Sequence, residues 1–177
     1  MVAVCPEVVR LAADGAAAVS GPLEFRGAMG SFATGVTIVT ALGADNRPIG
    51  LTANSFNSVS LTPPLVLWSL SLTSRSMAAF RHASHYAINV LAADQRALAE
   101  RFAGRLVDRF AGVAFRAGVH GCPVIEGAAA VFECESRSRH EEGDHLIFVG
   151  EVKGCSYRPQ AEPLVFHQGR YVIGLPR

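Results

Sequence analysis

Gly50-Leu-Thr-Ala-Asn-Ser-Phe-Asn-Ser-Val-Ser60, running on into Leu61-Thr-Pro-Pro-Leu65, is the stretch on which the reading of this chain turns. It lies between two apolar segments, Val36-Thr-Ile-Val-Thr40 and Leu65-Val-Leu-Trp-Ser-Leu70, whose β-branched and aromatic content predicts strands. Thr52, Asn54, Ser55, Ser58 and Ser60 bring donors and acceptors without charge, and Gly50 and Ala53 leave room for a flat group against the backbone. Two readings follow. One is a polar edge strand with its hydroxyls in water. The other is a cradle for a polar, planar, phosphate-bearing ligand.

Outward from this stretch the chain reads as short strands separated by turns. Gly43-Ala-Asp-Asn-Arg-Pro48 is turn chemistry, and Ile49–Ala53 returns as a second strand. Asn54–Ser60 continues as strand or bend, and Pro63-Pro64 marks an edge, because proline cannot donate to a ladder. Thr73-Ser-Arg-Ser76 before Met77-Ala-Ala-Phe80 predicts a capped helix start, and Asp94 is expected to cap a helix through Ala103. His85–Leu91, Ala128–Arg139, Leu146–Val152, Pro163–Phe166 and Arg170–Ile173 read as strands, and Arg105–Pro123 as irregular. Upstream, Leu23–Phe32 suits a short helix. Residues 1–22 form an Ala-rich arm, and residues 23–177 form one domain. The expected fold is mainly β with short helices, an antiparallel barrel with the helices packed outside.

Composition narrows the function. Half of the 177 residues are hydrophobic and only 18% are charged, which fits apolar surface covered in an oligomer. The net charge of +1, with no Lys/Arg cluster, leaves no footprint for nucleic acid and no polybasic membrane patch. The early apolar residues are interrupted by Glu7, Arg10 and Asp14, so neither a signal peptide nor a membrane span is read, and a cytoplasmic location is expected. Cys5, Cys122, Cys134 and Cys155 contain no C-x-x-C pair and read as scattered buried thiols in a reducing compartment.

Several chemistries are missing. No G-x-G-x-x-G follows a strand and no Walker A pattern occurs, so a nucleotide must be held in another way. The H-E-x-x-H and G-x-S-x-G signatures are also missing. His140-Glu-Glu-Gly-Asp-His145 gathers imidazoles and carboxylates, but its Gly-Asp is a hairpin turn and no metal is expected there. Ser74, Arg75 and Ser76 stand at a helix start, where Arg75 is either a phosphate partner or a solvated side chain.

Three segments carry a family resemblance: Phe32-Ala-Thr-Gly-Val-Thr-Ile-Val-Thr40, Gly50 to Val66, and Gly143-Asp-His-Leu-Ile-Phe-Val-Gly-Glu151. In order and spacing the chain from Leu23 onward resembles the short-chain flavin reductases, FMN-binding Greek-key split barrels that partner two-component monooxygenases. The resemblance implies that Thr34, Gly35, Val36 and Thr37 line a flavin, together with Leu51, Thr52, Ala53 and Asn54, then Ser55, Phe56 and Ser58. Within that set Thr52, Asn54 and Ser55 are expected at the ring edge or ribityl chain, and Ser58 near the phosphate. Asn89 and Phe102 are further carry-overs; read from the residues alone, they are a sheet amide and a core aromatic. His145 is implied over the flavin face, where the nicotinamide stacks. Gly169, Arg170 and Tyr171 are implied near the nicotinamide dinucleotide.

The implied activity is NAD(P)H:flavin oxidoreduction, with FMN or FAD as flavin and NADH or NADPH as donor. The reduced flavin would diffuse to a separate flavin-dependent monooxygenase. Relatives form homodimers with the flavin near the interface. Two alternatives stay open: a flavoprotein of this fold that retains FMN and acts on a small molecule itself, and a non-catalytic flavin-binding protein.

Overall fold

The computed structural model describes residues 21–172. Nearly all of the Ala-rich arm, Cys5 and Ile173 lie outside them. Helix α1 (Pro22–Gly30) is followed by β1 (Thr34–Gly35), β2 (Thr37–Leu42), β3 (Pro48–Ala53), β4 (Asn57–Leu61) and β5 (Pro64–Ser71). Then come α2 (Met77–His82), β6 (His85–Val90) and, after a 3-10 turn at Ala93–Gln95, α3 (Arg96–Ala103). The rest is strand: β7 (Phe115–Ala117), β8 (Pro123–Ile125), β9 (Ala130–Glu142), β10 (His145–Tyr157), β11 (Val165–His167) and β12 (Arg170–Val172).

Seven strands pair antiparallel in the order β3-β2-β6-β9-β10-β5-β4. The expected mainly-β barrel is therefore present in split form. Its ladder is not closed, and β3 and β4 remain at the two edges. A small sheet, β1-β11-β12, is tied to the large one by backbone bonds. Val36 N–H donates to the Leu164 carbonyl, Leu91 N–H to Val36, and Leu164 N–H to Leu91.

The strands form where β-branched and aromatic residues run together. In β2 the first five residues are all buried, as suits a strand covered on both faces. In β5 burial alternates, placing Val66, Trp68 and Leu70 in the main core. There Trp68 stacks on Phe148 with ring centroids 4.4 Å apart and meets Phe80 and Tyr86 edge-on. A second apolar cluster, with Val36, Ile38, Leu91, Ala99, Phe102 and Leu164, packs under α3.

The turns follow the sequence chemistry. Gly143-Asp144 joins β9 to β10 with Glu142 opposite His145, and Gly143 takes φ +58°. Gln168-Gly169 joins β11 to β12 with both residues at positive φ.

Four sequence expectations are corrected. Asp94 does not cap α3, because the 3-10 turn intervenes; the Gln95 side chain instead accepts from Ala92 N–H and donates to the Glu126 carbonyl. The start of α2 has no side-chain cap, since Ser76 itself is in helical conformation. Arg105–Pro123 is not wholly irregular, because β7 pairs with β8. Cys155 is exposed, whereas Cys122 and Cys134 are buried, with thiols pushed up by desolvation to about 11 and about 12.

Candidate functional site

Two hollows lie consecutively along edge strand β3. The first is a groove of about 140 Å³ lined by Val36, Thr52, Ala53, Asn54, Phe166 and Tyr171. Its floor comes from the end of β3, where Ala53 pairs with Thr37, and its aromatic wall from the C-terminal hairpin. Phe166 and Tyr171 meet edge-on at 5.4 Å. Thr34 pairs with Phe166 in this wall, and its hydroxyl oxygen is buried without a hydrogen-bond partner.

The second hollow, about 280 Å³, opens beside Pro48, Ile49 and Gly50 and gathers Arg75, Arg105 and Arg109. Arg109 donates to the Gly50 carbonyl at 2.7 Å and to the Gly104 carbonyl at 2.9 Å, while its Nε is buried without a partner. Burial, and then the nearby Arg75, weaken its hold on its proton. The one carboxylate lining the cleft, Asp108, is turned to the backbone N–H groups of Phe110 and Ala111. Such an excess of guanidinium groups suits an anion.

The other sequence-predicted residues divide by what their side chains already do. The Thr37 hydroxyl donates to the Ala53 carbonyl and the Thr52 hydroxyl to the Ala99 carbonyl. The Ser55 hydroxyl bridges both backbone groups of Ser69. These three therefore shape the groove rather than offer free hydroxyls. Asn54 is exposed at the groove rim, and Ser58 is exposed on β4, with Asn57 accepting from its N–H. Gly35 is exposed on β1, so backbone is what it can offer.

Four residues point away from a direct ligand role. Leu51 belongs to the main core, and Phe56 packs on it with its ring 5.3 Å from Phe132. Asn89 is fully buried: its amide donates to the Ile38 carbonyl and to the Thr40 hydroxyl, and its oxygen accepts from Ile125 N–H. It thus binds β6 to β2 and β8 and has no hydrogen-bonding capacity turned to the groove. Phe102 is buried against Phe110 and Gly50. The flat group that Gly50 makes room for is the protein's own ring.

His145 does not line the groove, yet it reaches the same end of the sheet. It pairs with Ser71 on β5, two residues beyond Ser69, which holds Ser55 from the other side. Strand spacing sets the two on opposite flanks of β5, about 10 Å apart. Its Nδ1 meets Asp144 Oδ1 at 2.6 Å, which lowers the carboxyl's pKa and leaves Nε2 as the free ring nitrogen. Gly169 and Arg170 are exposed at the hairpin, while Tyr171 turns into the groove.

Sequence reasoning missed Arg105 and Arg109. They sit in a stretch with no motif, and only the fold brings them beside Gly50 and Arg75. Their clustering within five residues was the one signal available.

The fold defines the class: a mostly-β split antiparallel barrel with a few short helices and a hollow on its edge strand. Residues 29–174 match the family model described as flavin reductase like domain, and the chain belongs to that family. It is similar to the FMN reductase (NADH) SmoA of Agrobacterium fabrum, 48% identical over 150 residues that cover 84% of this chain and 83% of the relative. It is similar as well to the flavin-dependent monooxygenase reductase subunit HsaB of Rhodococcus jostii, 39% identical over 89% of this chain and 82% of that one. Among solved structures, the NADH:FAD oxidoreductase SgcE6 of Streptomyces globisporus, in complex with NAD and FAD fragments, superposes with TM-score 0.82 at 40% identity. That match covers 87% of this chain and 93% of the other. Some relatives are longer: the chain spans 44% of the length of a Rhizobium meliloti protein with which it shares 48% identity.

The residues present fit a flavin nucleotide. The groove has a small-residue floor and an aromatic wall, and the neighbouring cleft, with an unpartnered buried Arg109 Nε, supplies cations for a phosphate. Among the described residues no three His, Cys, Asp or Glu side chains gather as metal ligands, and no helix is long and apolar enough to cross a membrane.

Proposed function

We propose that this chain is an NAD(P)H:flavin oxidoreductase that supplies reduced FMN or FAD to a separate flavin-dependent monooxygenase. The observation that carries the reading is the succession of groove and arginine cleft along β3.

In this reading Thr52, Ala53 and Asn54 hold the ring system, with Val36 and Thr34 behind it, and Arg75, Arg105 and Arg109 take the anionic end. When bound, the flavin supplies the hydride acceptor. The protein's own part is orientation and exclusion of water, so no acid–base pair is required of it. Tyr171 gives a nicotinamide ring a flat wall, and His145, outside the groove, would meet it from across β5. A floor of engaged hydroxyls grips weakly, which suits a flavin that leaves after reduction.

The shallow groove also supports a homodimer. Leu23, Phe25 and Met29 of α1 and the nearby Phe32 are all exposed, and a second copy would cover them and deepen the site. The composition supports a cytoplasmic setting for this chemistry.

The test is oxidation of NADH and of NADPH, followed at the nicotinamide absorbance, with FMN, FAD or riboflavin added in turn. Turnover that depends on added flavin is expected, and the same assay ranks both partners. Flavin binding without turnover would overturn the reductase in favour of a flavin carrier or a flavoprotein with its own substrate.

A further inference from the structure

Helix α3 touches the groove region at three residues spaced three apart, which share one side of a helix. Phe102 packs on Gly50, the Ala99 carbonyl accepts the Thr52 hydroxyl, and Arg96 lies over the ring of Tyr171. The first two contacts fix the strand beneath the groove. The third reaches its wall. The Arg96 guanidinium carbon is 5.6 Å from the Tyr171 ring centroid, within cation–π range. The same guanidinium donates through Nε to Glu100 Oε1 at 2.8 Å, one helical turn on.

Tyr171 has need of such a contact. It sits on β12, a three-residue strand at the edge of a three-stranded sheet, and a ladder this short constrains a side chain weakly. Phe166 meets the ring edge-on from one side. The second apolar cluster packs against it as well, and Arg96 adds a restraint from α3, its planar fork bonding Glu100 while covering the ring.

We infer that Arg96 is a positioning residue for this site: seated over Tyr171 and steadied by Glu100, it holds that ring in place as the groove wall against which the nicotinamide dinucleotide docks. This rests on the reductase reading for the identity of the ligand. The positioning itself does not.

The experiment compares wild type, Arg96→Gln and Arg96→Lys in two measurements on the intact protein. The first is steady-state NAD(P)H oxidation at saturating flavin, with flavin Kd measured alongside. Arg96→Gln should raise the nicotinamide KM about two- to fivefold, the range a cation–π contact of this exposure supports, with kcat unchanged and any change in flavin Kd smaller. Arg96→Lys should recover part of the loss.

The second is titration of the Tyr171 phenol by NMR of ring-labelled tyrosine, assigned with Tyr171→Phe. The wild-type phenol is already raised by desolvation, then by Glu100, with Arg96 opposing both. Arg96→Gln should therefore move it further up, and Arg96→Lys should hold it near the wild-type value. Identical KM and identical phenol titration in all three proteins would overturn the inference. A wild type that oxidises no nicotinamide while the phenol still moves in Arg96→Gln would overturn the reductase reading and leave only the contact between Arg96 and Tyr171 standing.

Discussion

Phe102 lies so close over Gly50 that a Cβ built on the glycine would stand 2.8 Å from the ring's Cε1 and 3.3 Å from Phe110. The ring is fully buried and Phe110 meets it edge-on, so it has nowhere to retreat. Gly50→Ala should then cost about 1–3 kcal/mol, as overpacking of a filled core does. The check is the urea midpoint at constant slope. A midpoint equal to wild type would mean that α3 slides freely on β3.

The three arginines beside Gly50 carry a separable prediction. Arg75→Ala combined with Arg105→Ala should weaken FMN binding about tenfold or more while barely changing riboflavin, because only FMN brings the phosphate. Quenching of flavin fluorescence gives both dissociation constants. Equal losses for the two flavins would place the phosphate elsewhere.

His145→Ala should raise the nicotinamide KM or lower turnover about two- to tenfold, the worth of one ordinary hydrogen bond or contact. Flavin affinity should hold, since the imidazole lies outside the groove. Kinetics matching wild type would remove His145 from the reaction.

A pH effect should arise far from the groove. His85 and His120 stack with ring centroids 3.8 Å apart. The His85 pKa is lowered by burial first and then by His120, with Glu135 opposing and Lys153 assisting. The unfolded chain thus binds a proton here more readily than the native one. Stability should be full above about 6.5, the ordinary histidine value, and fall as pH drops from there through the lowered native pKa. His120→Ala should flatten this slope. Denaturant midpoints between pH 8 and pH 5 give the answer, and an unchanged slope would show that the pair does not couple.

Much of the architecture is legible in the sequence because strand, turn and burial point the same way. Val36–Thr40 reads as a strand, Gly143-Asp144 as a hairpin turn, and Leu65–Leu70 as a buried strand. The helix starts are less legible, because Asp94 and Ser76 carry the right side chains in the wrong local geometry: one lies inside a 3-10 turn and the other is already helical.

At the site, residue type identifies the strand but not what each hydroxyl does. Thr37, Thr52 and Ser55 look free in sequence and are engaged with the backbone of distant elements. Asn89 resolves toward its sheet role for the same reason. The arginine cleft and Arg96 are set by how α3 and the following loop fold back over β3, a relation between elements that no local pattern records.

The two open margins of the large sheet bear on how the protein behaves when crowded. A bare strand edge invites a stranger's backbone, and Val59 and Leu61 make the β4 margin sticky. Its pairing with β5 slips register between Ser58 and Ser60, and the turn that follows brings Pro63 and Pro64. β3, at the other margin, begins at Pro48. An incoming strand would thus meet a kink or a missing donor within a few residues. The molecule can keep a sheet open enough to admit a ligand without nucleating fibrils from the same opening.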